Sequence, residues 1–170
     1  AKLEKLISKN IKAAWYQNGL ILTKIRDEQL YKKKYGTFDN YIVERWGFER
    51  SRCYQLLDAA NITKKIAFVQ SGNSNKPAEK CPQFVDILPA NEGQIRPLFS
   101  GLKSDSERVK VWQKVISDSP GKITADFVKT KVDEFIASGE EVIDIDFSEI
   151  NNSYCNVHVG HNSGENEWYT

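Results

Sequence analysis

Arg45–Ile62 reads "RWGFERSRCYQLLDAANI", a glycine between two aromatic residues followed by a segment that opens on charge and only then turns apolar. At 100° per residue, Leu56, Leu57 and Ala60 fall within about 60° of Cys53 and define with it a core face. Ser51, Gln55 and Asp58 lie opposite, flanked by Arg52, Tyr54 and Ala59. The segment is therefore expected to be a helix with an apolar seam and a polar front, and the front is available to a partner.

The residues before it complete a pattern. Thr37 is placed to cap "FDNYIVERW", in which Phe38, Tyr41, Ile42, Val43 and Trp46 form the expected buried face. Gly47 breaks that helix where the backbone angle suits glycine, and Phe48 supplies an apolar residue after the turn. Apolar positions at Ile42, Trp46, Phe48, Cys53 and Leu56 around Gly47 have the spacing of a helix-turn-helix. In such a unit the second helix enters the major groove, where Arg pairs with guanine and Gln with adenine. The bland alternative is a helical hairpin whose front is only solvated.

Charge distribution bears on that choice. Residues 1–66 hold 14 Lys and Arg against 7 Asp and Glu, a net of +7, while residues 67–170 hold 10 against 16, a net of −6. A basic end on a chain of overall charge +1 points to a polyanion or to an acidic protein surface. Composition is otherwise that of a globular protein, 40% hydrophobic and 28% charged. No run of about 18 apolar residues is present, and "AKLEKLISKN" lacks the apolar core of a secretory signal, so a cytoplasmic protein without a membrane partner is expected. Cys53, Cys81 and Cys155 are odd in number and far apart, which argues against a disulfide framework.

The expected fold class is mainly α, a helix-turn-helix bundle followed by a second group of helices and an extended tail. Residues 1–69 form the helix-turn-helix region, 70–83 a linker or exposed loop, 84–138 a second helical subdomain, and 139–170 an acidic segment with a flexible tail. From Leu3 to Tyr35 apolar residues recur at threes and fours, so one or two helices run up to Gly36 as a stop, with Gly19 as a candidate interruption. "QSGNSNKPAEKCPQ", Gln70–Gln83, is rich in Ser, Asn, Gly and Pro. Pro89 is expected to open a helix through Phe99, Ser104 and Glu107 to form a capping box, and Thr124 to cap a helix carrying Phe127, Val128, Val132, Phe135 and Ile136. "GEEVIDIDFSEI", Gly139–Ile150, alternates enough for at most one short strand.

Other chemistry finds little footing. Cys155, His158 and His161 sit three apart in the tail, but a structural zinc site needs a fourth ligand and usually another spacing, so no metal or cofactor is expected. No nucleophile motif or glycine-rich phosphate loop is present, and Glu140 and Glu141 read as a solvated run, so an enzyme is not expected.

"GFERSRCYQLLDAANI" resembles the second helix of the helix-turn-helix in ParB/KorB-type partition proteins, with Gly47, Arg50, Ser51, Leu56 and Leu57 matching. Glu49 departs from the serine common there. The Leu-Pro entry and the Gly-x-x-Arg-x-Leu element at Gly93, Arg96 and Leu98 are similar to the helices that follow in that family. The similarity spans roughly Leu30 to Phe135 and lacks the family's N-terminal nucleotide-binding domain. Short plasmid- and phage-borne proteins carry a Tyr-x-x-x-x-Gly-Thr-Phe-x-x-Tyr-x-x-x-Arg-Trp-Gly run like Tyr31–Gly47. The resemblance implies binding of double-stranded DNA, with a homodimer fitting paired half-sites. Arg50, Ser51, Arg52, Tyr54 and Gln55 then face the groove, and Lys32, Lys33, Lys34, Lys64 and Lys65 contact phosphates.

Glu167–Thr170, "EWYT", resembles the opening of phage-type adenine-specific DNA methyltransferases. It implies a second possibility, the recognition region of a longer modification enzyme or the partner of a methyltransferase domain. No Asp/Asn-Pro-Pro-Tyr/Phe motif accompanies it. A helical module that binds another protein is the alternative from a different class.

Overall fold

The computed structural model describes residues 2–70 and 88–150, and side chains within them from 14 onward. The fold is mainly α. Helix α1 (Lys2–Asp27) is followed by α2 (Lys32–Tyr35), α3 (Phe38–Trp46) and α4 (Arg50–Gln70). After the undescribed stretch come α5 (Glu92–Ile95), a 3-10 helix (Arg96–Phe99), α6 (Asp105–Asp118) and α7 (Ala125–Ser138). The expected linker lies outside the described residues except for Gln70, which closes α4, and so do Cys81, the trio Cys155, His158 and His161, and Glu167–Thr170.

The helix ends follow from local chemistry. Thr37 Oγ1 accepts from the Asn40 N–H at 3.1 Å, and Thr124 caps α7 in the same way through Phe127 at 3.2 Å. Ser104 and Glu107 cap α6 reciprocally, as the capping box requires. By contrast α1 stops before Gly36. Gln29 takes φ 56°, its N–H donates to the Arg26 carbonyl, and the Leu30 N–H donates to that of Ile25, a Schellman ending built without glycine. Pro89 opens no helix; the chain waits for Asn91, whose side chain accepts from the Gln94 N–H, and the turn then tightens into the 3-10 helix at Pro97.

Gly19 does not interrupt α1. A Cβ there would stand 2.5 Å from the Ala60 Cβ and 3.0 Å from the Leu56 carbonyl oxygen, so the missing side chain is what lets α1 lie against α4. Gly47 has the opposite reason. It sits at φ 64° with open space around it, its N–H donates to the Val43 carbonyl at 3.0 Å, and the Phe48 N–H donates to that of Ile42 at 3.1 Å. The requirement is conformational alone, so Gly47→Ala is expected to cost about 1–2 kcal/mol in urea denaturation, while Gly47→Asn costs less because asparagine tolerates the left-handed region.

Two apolar clusters share α4. Leu22, Phe38, Ile42, Cys53 and Leu57 form the first. Ala59, Ile62 and Ile66 join Ile95, Leu98, Leu102, Val109, Val111, Trp112, Val115, Val128, Val132 and Phe135 in the second. Ala59, placed beside the polar front by the helical projection, is thus buried, because α4 packs on two sides and a projection of one helix shows only the larger seam. Leu56 is half-buried. On α3 only Phe38 and Ile42 are buried; Val43 and Trp46 keep 44% and 50% of their surface exposed.

The acidic segment 140–150 forms no strand. It carries no regular secondary structure beyond a turn at 148–149; the Ile145 N–H donates to Ser106 Oγ at 2.9 Å, and Val142, Ile145 and Phe147 pack against the second cluster. A side-chain hydroxyl takes the hydrogen bond that a neighbouring strand would have offered.

Candidate nucleic-acid interface

The first turns of α4 are presented by the turn Gly47–Phe48–Glu49, with the Cys53 N–H closing onto the Glu49 carbonyl at 3.0 Å. Arg50, Ser51, Arg52, Tyr54 and Gln55 are all exposed on that end, as the sequence predicts. Their side chains are nevertheless not equivalent. Gln55 has no hydrogen-bond partner among the described residues, so both its amide groups are open to a base edge. Ser51 Oγ donates to Glu49 Oε1 at 2.9 Å, so Glu49 directs the hydroxyl.

Asp39, in the first turn of α3, organises two others. Arg50 Nη1 lies 3.6 Å from its carboxylate, and the Tyr54 hydroxyl donates to it at 3.0 Å. Tyr54 also meets the Phe38 ring edge-on with centroids 6.1 Å apart. Burial first, and then that hydrogen bond, hold the Tyr54 hydroxyl above its ordinary value, so it stays a donor. Tyr54 is better described as a brace between α3 and α4 than as a base reader. Arg50 remains mostly exposed, and its pairing at the surface is weak enough to exchange.

Arg52 is committed elsewhere. Its Nη1 donates to Oε2 of Glu92, a carboxylate at the start of α5 whose side chain is 6% exposed. Arg96 reaches the same carboxylate with Nε and Nη2 at 3.2–3.3 Å. Arg52, expected from its position on the helix to face a base edge, is thus tied through one guanidinium nitrogen to a carboxylate of α5 while its side chain stays 54% exposed.

The lysines divide in two. On α2, Lys32, Lys33 and Lys34 are exposed; Lys32 donates to Gln29 Oε1 at 3.1 Å and Lys34 lies over the Tyr35 ring at 5.5 Å. Edge-on contacts of Tyr31 with Phe38 and of Tyr35 with Tyr41 fasten α2 to α3, and hence to the end of α4 that Phe38 shares. Lys65 does not belong with them. It is paired with Asp105, lies 5.1 Å from the Phe147 ring, and keeps only 19% of its side chain exposed. Lys64 is half-buried and partnered as well. Asp105 of α6 and Phe147 of the docked acidic segment occupy the place where Lys65 was expected to meet phosphate.

Arg96, Glu92 and Asp39 are the members of this site that were not read from sequence as functional. The Glu92–Arg96 spacing of four was visible as a helical pair. Nothing local announced Arg52 as its third member, forty residues away.

Cys53 is buried, and burial pushes its thiol up, which suits a core residue rather than a nucleophile. Among the described residues no group of three or more His, Cys, Asp and Glu could hold a metal, and no helix is long and apolar enough to cross a membrane. The chain matches no family model, no curated protein and no solved structure.

Proposed function

We propose that the protein binds duplex DNA through α3 and α4 and reads sequence with the first turns of α4, in a regulatory or targeting role on a mobile element. The observation that carries this is Gln55, exposed and without a hydrogen-bond partner among the described residues, one turn from the exposed Arg50 and Ser51, on a helix fixed by a left-handed glycine turn. Gln55 and Arg50 take base edges, Ser51 a base or a phosphate, and Lys32, Lys33 and Lys34 the backbone. Tyr54 holds the reading helix at its angle. A homodimer would place two such helices on half-sites about one helical turn apart.

Selection from random duplexes at two salt concentrations tests this directly. An enriched motif supports sequence reading, and a pseudo-palindrome supports the dimer. On that motif Gln55→Ala is expected to lose roughly 1–3 kcal/mol while binding to unrelated duplex is unchanged. Equal losses on both would remove Gln55 from the base contacts. The exposed Val43, Trp46 and Phe48 favour a second reading, attachment to another protein through α3 and the turn. Absence of duplex binding at low salt would give that reading precedence.

A further inference from the structure

Glu92 is a buried carboxylate with two guanidinium partners, and two positive groups on one negative leave a local charge of +1. Both oxygens are used: Oε1 accepts from Arg96, and Oε2 from Arg96 and Arg52. The arginines are not buried with it, for their side chains are 54% and 61% exposed while that of Glu92 is 6% exposed. An arginine has five N–H donors in a fixed fork. Nε and Nη2 of Arg52 and Nη1 of Arg96 have no partner among the described residues. Bringing two guanidiniums to one carboxylate sets them side by side with donors left over, and an oxyanion bridging them would complete the arrangement.

We infer that Arg52 and Arg96, held side by side by Glu92, form a clamp for one backbone phosphodiester of the bound duplex. This rests on the DNA-binding function proposed above and assigns part of its surface. Arg52 lies three residues before Gln55, hence on a neighbouring position of the helix. The clamp therefore fixes the duplex within one helical turn of the base-reading side chain. It also gives Arg52 a backbone role in place of the base-reading role its helical position suggested, and brings the otherwise remote 3-10 helix, through Arg96, into the interface.

The test is a salt titration of duplex binding, on the selected motif and on random sequence, for wild type, Arg96→Ala and Arg96→Lys. Arg96→Ala is expected to weaken both duplexes alike, by about eightfold at 0.1 M salt, and to flatten the plot of log K against log salt by about 0.9. Arg96→Lys keeps the slope but loses affinity, because the charge remains and the fork does not. A duplex neutralised by methylphosphonate at single positions provides a measurement independent of variant folding. One position should weaken wild type and leave Arg96→Ala unaffected.

If wild type binds duplex and Arg96→Ala matches it in affinity and slope, or if no methylphosphonate position distinguishes the two proteins, the clamp is wrong and the DNA-binding function stands. If wild type binds no duplex, both fall. Inorganic phosphate titrated without DNA, followed through the arginine Nε–H resonances, separates a free-anion site. Saturation there, without duplex binding, would overturn the assignment to a phosphodiester.

Discussion

Trp112→Ala is expected to remove about 3–5 kcal/mol of folding stability, the range for truncating a large buried aromatic side chain. Trp112 is fully buried in the second cluster, among residues of α4, α5, α6 and α7. Removing its indole leaves a hole that rigid helices on several sides can only partly close. Because whole domains are stable by roughly 5–15 kcal/mol, the loss is a large fraction of the total and should move the urea midpoint well below that of wild type. Urea denaturation followed by circular dichroism reads the change without relying on tryptophan emission. The same helix α4 that Trp112 supports carries Gln55 at its other end, so the duplex binding proposed above should fall in proportion to the folded fraction. A loss below 1 kcal/mol would mean that this cluster does not hold α4 in place.

Asp105→Ala should cost nearly as much, about 3 kcal/mol at neutral pH, the lower end of the range for breaking a sheltered ion pair. Asp105 holds Lys65 and Arg108, whose side chains are 19% and 16% exposed, and it occupies the first turn of α6 where a negative charge suits the helix dipole. Removing it takes the carboxylate from two half-buried cations, leaving Lys65 with the Phe147 ring and Arg108 with the Leu98 and Leu102 carbonyls. Burial pushes the Asp105 carboxyl up, but hydrogen bonds from Lys65 and Arg108 and their charges outweigh it and hold the group below its ordinary value of 3.8. The folded value is thus depressed. Its stabilising contribution is complete above the ordinary value and is lost as pH falls through the folded one. The gap between wild type and Asp105→Ala should accordingly be constant near neutrality and narrow below about pH 4. A gap that widens on acidification would show that the pair is not what holds the carboxylate.

What could be read from the chain beforehand was what depends on neighbours in sequence. Thr37, Ser104 with Glu107, and Thr124 cap helices because each side chain reaches a backbone N–H three residues ahead. Gly47 was legible because a left-handed turn between two aromatic helices demands that residue type. Burial that depends on a second element was not. Ala59 looked like part of a polar front until α4 was seen to pack on two sides, and Gly19 looked like a breaker until Ala60 was placed against it. Val43 and Trp46 fit an apolar face whose outer edge nothing in the described structure covers. The site divides along the same line. Gln55 and the lysines of α2 are exposed as their pattern implied, whereas Arg52, Tyr54 and Lys65 are held by Glu92, Asp39 and Asp105, partners 40, 15 and 40 residues distant.

The contact at Gly19 also fixes a register. Sliding α1 along α4 by one residue would bring Asn18 or Leu20 to the point where a hydrogen fits and a Cβ would stand 2.5 Å from that of Ala60. One turn of slippage, about 5.4 Å, is blocked in the same way, since no other glycine lies in α1 to take the place. The helix is keyed to its partner like a shaft to its hub. Its end at Asp27 is therefore set, and with it the starting point of the short turn that delivers Lys32, Lys33 and Lys34. A residue without a side chain sets where the first positive charge of α2 stands relative to the exposed amide of Gln55 on α4.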